Sequence, residues 1–239
     1  MELEPSGVSG RCLMSDDLLL KVMEILERAY GLPEARSVDP VDLLVMTILS
    51  QNTSDMNSGR AFEQLKSRFR SYDEILDASE DEIADAIRPG GLADIKAARI
   101  KGALERLRED FGSVELSPLQ RMSPEEVRSY LTSIPGIGPK TASVLMLFGF
   151  NMPAMPVDTH VYRVSRRIGL VPENASIQEV QRILEEITPR EKYLSLHINL
   201  IRHGRLVCRA RNPLCERCEL AGLCRYMQAQ RKQSQHEQS

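Results

Sequence analysis

Leu131-Thr-Ser-Ile-Pro-Gly-Ile-Gly-Pro-Lys-Thr-Ala142 reads as two helices meeting at a tight corner. The first ends near Ser133, Pro135 to Gly138 make the turn, and the second helix starts at about Pro139. Two glycines on either side of one aliphatic residue let the backbone come close to a ligand. The N–H groups of the turn and of the following helix N-terminus then point outward as anion donors. Ile137 can plug back between the two helices. A plain helix–turn–helix corner would use the same residue types, so the rest of the chain must say which it is.

Working outward, the chain is helical almost throughout. Ser79 with Glu82, Ser123 with Glu126 and Ser176 with Glu179 each fit a capping box, in which hydroxyl and carboxylate satisfy orphan N–H groups reciprocally. Asp39-Pro40 and Ser123-Pro124 put an N-cap before a proline at the first helical position. Ser15 opens a helix with Leu18, Leu19, Val22, Ile25, Leu26 and Ala29 at helical spacing, which Gly31 stops. Further apolar-periodic helices are expected at about 40–51, 55–69, 80–87, 94–110, 124–133, 139–149, 158–168, 176–187 and 191–204. Alternating strand patterns are scarce and no hairpin turn of the Asn-Gly type occurs. The predicted fold class is all-α, with a polar, disordered tail from about residue 229 to 239.

At 239 residues and 42% apolar content the chain can bury one large or two modest cores. Its longest apolar run, Ala142 to Phe150, is about half of the ~20 residues that a membrane helix needs. A soluble, cytoplasmic protein without a membrane partner is expected. The net charge of −3 conceals an asymmetry: residues 1–87 balance at −10 and residues 88–239 at +7. Residues 202–232 hold eight basic side chains against Glu216 and Glu219. That distribution allows a phosphate-binding face, although a merely solvated basic surface would look the same.

Four of the five cysteines fall within seventeen residues, as Cys208-x6-Cys215-x2-Cys218-x5-Cys224. Short loops can aim four thiolates at one centre, so a metal site is favoured over disulfides. The acidic opening Met1-Glu-Leu-Glu4, without an apolar signal region, gives no reason to expect an oxidising compartment. Zinc sites usually join two short knuckles and only one is present, so spacing leaves zinc and iron–sulfur open. Cys12, outside the quartet, is read as a bystander thiol.

Taken in order, three motifs carry a resemblance: the Pro-Gly-Ile-Gly hairpin with Lys140, then Met155-Pro-Val-Asp-Thr-His-Val161, then the cysteine quartet. The hairpin resembles the helix-hairpin-helix motif, which binds a DNA backbone phosphate without reading bases. The ordered set resembles the endonuclease III family of DNA glycosylases, over roughly residues 15–228. Ile48-Leu-Ser-Gln-Asn-Thr-Ser-Asp55 and Gly91-Leu-Ala-Asp-Ile-Lys-Ala97 are similar to two further loops of that family. The resemblance implies a [4Fe–4S] cluster on Cys208, Cys215, Cys218 and Cys224. It also implies two helical domains flanking a DNA-binding cleft. One is a six-helix barrel with the hairpin, at 36–150. The other is a discontinuous cluster domain, at 11–35 and 151–228.

By the same resemblance the protein is a monomeric base-excision enzyme that acts on damaged bases or abasic sites in double-stranded DNA, in the cytoplasm or on a nucleoid. Lys140 matches the catalytic lysine, an amine that attacks the sugar C1′, displaces the base and leaves a Schiff base that permits β-elimination. Asp158 matches the essential aspartate, stabilising positive charge on the sugar. Gly136, Ile137 and Gly138 would hold the backbone phosphate. Leu92 matches the residue that wedges into the base stack. Gapless alignment sets Asn52, not Gln51, against the glutamine that fills the vacated space, and both are candidates. Thr132 stands where many relatives carry Glu, and His160 reads as structural. The leading reading is a bifunctional glycosylase and abasic-site lyase for oxidised pyrimidines. Its rivals are a monofunctional mismatch glycosylase, which generally lacks the lysine, and a non-catalytic DNA-binding iron–sulfur protein, which has no need of Lys140 and Asp158.

Overall fold

In the computed structural model, residues 11–34 and 38–236 are described, and every regular element among them is helical. The chain divides into two compact units, one of residues 36–156 and one of residues 1–35 with 157–239.

The contiguous unit carries α2 (Pro40–Ser50), α3 (Asp55–Arg68), α4 (Tyr72–Asp77), α5 (Glu80–Ile87), α6 (Ala93–Phe111), α7 (Pro124–Ser133) and α8 (Pro139–Val144). Five of these starts, all but α6 and α8, are capped by a side chain. The Asp39 carboxylate accepts from the N–H groups of Val41 and Asp42 ahead of Pro40, and both capping boxes of this unit, at Ser79 and Ser123, are formed. Ile48, Leu49, Leu65, Ile83, Ile100, Leu104, Leu131 and Leu145 are fully buried in one core that α2, α3, α5 and α6 close around. After α8 the helix widens into one π turn, Leu145–Gly149, where a plain continuation of the helix was expected. Residues 151–156 group with this unit because Ala154 is buried in its core and Met152 N–H bonds the Met146 carbonyl at 2.8 Å.

The discontinuous unit joins α1 (Arg11–Tyr30) to α9 (Thr159–Ile168), α10 (Ile177–Ile187), α11 (Tyr193–Leu206) and α12 (Arg225–His236). The apolar stripe of α1 (Leu19, Val22, Met23, Leu26) is buried, and α11 packs along it. Lys192 Nζ sits 2.9 Å from both oxygens of Glu27, the Ser195 hydroxyl donates to Glu27, and Asn199 donates to the Gly31 carbonyl. The expected polar tail is helical through His236. Tyr226 holds the start of α12 beneath the Arg167 guanidinium, and Gln, Ala, Arg and Lys carry the helix onward. Residues 237–239 and the side chain of Cys12 lie outside the described residues.

Candidate nucleic-acid interface and metal centre

The hairpin is built from its two glycines. Gly136 has φ +86°, the left-handed region that glycine adopts at no steric cost. A Cβ there would stand 2.9 Å from Cγ and Cδ of Arg99, so the position is closed to side chains on two counts. Gly138 is extended and nothing lies within 4 Å of where its Cβ would be, leaving its outer face open. Ile137 is buried, as the plug reading requires, and its N–H bonds the Ile134 carbonyl at 3.0 Å. No side chain caps α8, so the N–H groups of its first turn stay available to an outside acceptor. Lys140, second residue of α8, is exposed. Thr132 bonds back to the Arg128 and Ser129 carbonyls of its own helix and reaches no further.

Two other loops of this unit project residues in the left-handed region. Asn52 has φ +53° and Leu92 has φ +50°. Asn52 is exposed, and Leu92 is 52% exposed despite being a large apolar residue. Gln51 is committed elsewhere: its amide nitrogen donates to the Gly136 carbonyl at 3.1 Å, and its oxygen accepts from Arg99 at 2.6 Å. Lys96 stands in the Gly91–Ala97 motif, where sequence gives it no role, and Arg99 lies outside every motif. Lys96 lies on the same buried stripe of α6 as Ala97, Ile100, Ala103, Leu104 and Leu107, so a charged residue in an apolar register was the signal available.

In the other unit Asp158 caps α9. Its Oδ1 accepts from the N–H groups of His160 at 2.8 Å and Val161 at 2.7 Å, and its Oδ2 makes no bond among the described residues. One carboxylate thus caps a helix while presenting a second oxygen. His160 pairs with Arg163 at 3.1 Å, and Arg163 also holds the carbonyls of Cys208 and Gly204, a structural arrangement.

The four cysteines carry no disulfide and line one small cavity together with Ile168, His203, Val207, Leu220 and Met227. Burial and the neighbouring Cys224, Cys208 and Cys215 push the Cys218 thiol up to about 11, against a Leu220 N–H that lowers it. Burial, Cys208 and Cys224 likewise raise Cys215. Four thiolates gathered this way repel one another, and a group carrying several positive charges is what reconciles them. Among the described residues no three such side chains converge on a point that a single ion could occupy. Four thiols on one cavity are the donor set that an iron–sulfur cluster takes. Arg167 lies 3.5 Å from Cys208 Sγ, and His203 Nε2 lies 3.6 Å from Cys218 Sγ while Tyr30 sits 3.0 Å from His203 Nδ1. Burial lowers the His203 pKa to about 4, so the ring is neutral. A neutral ring carries one N–H, which serves either the Tyr30 hydroxyl at Nδ1 or the Cys218 sulfur at Nε2.

Residues 45–190 match the model of the HhH-GPD superfamily of base excision DNA repair proteins, and residues 208–224 match the iron–sulfur binding domain of endonuclease III. The endonuclease III of Synechocystis sp. is 36% identical over 87% of this chain and 92% of its own, and that of Thermotoga maritima 32% over 80% and 85%. An Arabidopsis thaliana chain named as a DNA glycosylase is 39% identical over 75% of this chain, which spans 61% of that protein's length. A solved endonuclease III trapped as a covalent intermediate with DNA superposes with a TM-score of 0.76 at 29% identity, over 90% of this chain and 98% of that one. The chain belongs to the endonuclease III family of base-excision DNA repair enzymes. It is a DNA-binding glycosylase and abasic-site lyase whose cofactor is a [4Fe–4S] cluster. No helix among the described residues is long and apolar enough to cross a membrane.

Proposed function

We propose that this enzyme, acting as a monomer, removes oxidised pyrimidines from double-stranded DNA, with Lys140 as nucleophile and Asp158 as the carboxylate that stabilises the sugar cation. The observation that carries the reading is an exposed primary amine two residues beyond Gly138, on an uncapped helix start. The amine lone pair attacks C1′ and the base leaves with the glycosidic electron pair. Ring opening gives a Schiff base, loss of a C2′ proton expels the 3′ phosphate, and water then frees the lysine. An ammonium cannot attack, so the amine must first give up a proton. Asp158 supports the step because its Oδ2 makes no bond among the described residues. The endonuclease III trapped on DNA supports a covalent route, and the likeness to the same family supports the lesion class.

The damaged base must leave the stack before any of this. Leu92 is the wedge, and Asn52 is the plug, since the Gln51 side chain is held by Gly136 and Arg99. Borohydride added to duplexes carrying thymine glycol, a uracil mismatch or an abasic site tests the assignment. Trapping is expected on the first and third, with the adduct mapped to Lys140. Lys140→Gln should bind DNA but neither trap nor cut. Asp158→Asn should keep the helix cap and lose base excision by about a hundredfold or more. A Lys140→Gln protein that traps at the parent rate refutes the nucleophile. One that excises bases without cutting makes the enzyme a glycosylase that activates water.

A further inference from the structure

Lys96 is 1% exposed, and its ammonium has no carboxylate partner among the described residues. All three of its protons go to neutral acceptors: the Leu49 carbonyl at 2.7 Å, the Thr53 hydroxyl at 2.7 Å and the Gly90 carbonyl at 2.8 Å. Those acceptors belong to two loops. Leu49 is in the last turn of α2 and Thr53 directly follows Asn52. Gly90 ends the short turn before Gly91 and Leu92. The Thr53 hydroxyl also donates to the Gly90 carbonyl at 2.5 Å, which closes the link between the loops. Burying a lone ammonium is costly, and burial accordingly lowers the Lys96 pKa, with Arg99 adding repulsion. An apolar residue of similar size would fill the same space, so packing does not account for the charge.

What the charge secures is backbone geometry. Asn52 and Leu92 both sit in the left-handed region, a strained state for a branched apolar side chain such as leucine. Strain of this kind persists only where the surroundings over-determine it, and Lys96 bonds the backbone on both sides. Its Nζ holds Gly90, and its own N–H bonds the Leu92 carbonyl at 3.0 Å.

We infer that Lys96 is a positioning residue for base extrusion, joining the Asn52 and Leu92 loops into one rigid two-pronged element so that wedge and plug enter the duplex together. The inference rests on the roles proposed above for Leu92 and Asn52. Its consequence is that base extrusion, and not the chemistry that follows, depends on Lys96.

The test uses the full chain with its cluster and compares Lys96→Met with Leu92→Ala, Asn52→Ala and the combinations. Single-turnover excision is followed on the best-excised lesion of the panel above, once paired in a duplex and once unpaired in a bulge. Cutting at a preformed abasic site is the control. Lys96→Met should slow excision of the paired lesion at least about tenfold, while the bulged lesion and the abasic site stay within about twofold. Added to the Leu92→Ala, Asn52→Ala background it should cost little more, because the three act as one unit. An equal loss on all substrates, or full additivity, makes Lys96 a stability residue only and overturns the inference, while leaving wedge and plug standing. If Leu92→Ala and Asn52→Ala themselves leave the paired lesion unaffected, the reading beneath it fails instead. Should Lys96→Met not fold, Thr53→Val removes the hydroxyl shared by Lys96 and Gly90 and is read the same way. A Thr53→Val enzyme indistinguishable from the parent on the paired lesion overturns the inference.

Discussion

The two hairpin glycines should fail in opposite ways when each is replaced by alanine. At Gly136 the backbone has φ +86°, where an L-residue costs roughly 1–2 kcal/mol. The new methyl would also stand 2.9 Å from Arg99 Cγ and Cδ and push the guanidinium off Gln51, now 2.6 Å away. A charged hydrogen bond of that kind is worth about 1.5–3 kcal/mol. Gly136→Ala should therefore lose about 3–4 kcal/mol, an apparent Tm about 10 °C lower. At Gly138 the backbone is extended and nothing lies within 4 Å, so the fold should tolerate alanine with little change. The methyl would instead stand where a phosphate must approach, and affinity for undamaged duplex should fall about tenfold, whatever the sequence. Thermal melting and fluorescence anisotropy at two salt concentrations separate the two effects. A Gly138→Ala protein that binds normally refutes phosphate contact through this turn, and a Gly136→Ala protein with the parent Tm refutes the steric reasoning.

Replacing Cys208, Cys215, Cys218 or Cys224 by Ser should abolish broad absorption near ~400 nm and reduce soluble yield together, since the cluster organises a loop with little core of its own. About four irons per chain are expected by metal analysis, and one zinc in a colourless protein would sink the assignment. The Glu27 carboxyl, which burial alone would raise, is held below its usual 4.5 by hydrogen bonds from Lys192 and Ser195 and by the Lys192 charge. A depressed carboxyl contributes stability that is present above 4.5 and lost as pH falls through the lower folded value. Glu27→Gln should thus cost about 1 kcal/mol in denaturant titrations at pH 7, a difference that disappears in acid. A difference that does not change with pH would contradict the linkage.

The capping boxes at Ser79, Ser123 and Ser176 were legible because their partners lie three residues away, within the reach of local pattern. Helix α4 escaped because six residues are too few to show a period, although Ser71 caps it through the Glu74 N–H. Periodicity also cannot distinguish an α turn from the π turn at Leu145–Gly149. That the Gln51 side chain is engaged was beyond sequence, since its partner is a carbonyl 85 residues away. Lys96 is the same case, with acceptors 47, 43 and 6 residues off. The cysteine quartet marked a metal site from spacing alone. Choosing a cluster over zinc took the family likeness.

The bonds that tie α1 to α11 have a consequence for how the protein is made. Glu27, Gly31 and Tyr30 wait for Lys192, Ser195, Asn199 and Arg202, which are 165 to 172 residues further along the chain. At ~5–20 residues per second, a ribosome supplies them on the order of ten to thirty seconds after α1. The unit of residues 36–156 is contiguous and can close in that interval. The stripe of Leu19, Val22, Met23 and Leu26 cannot, and stays uncovered until α11 has been made. A chain released before Tyr193 would therefore present a folded hairpin unit behind a bare apolar helix, a surface that chaperones and proteases are suited to recognise.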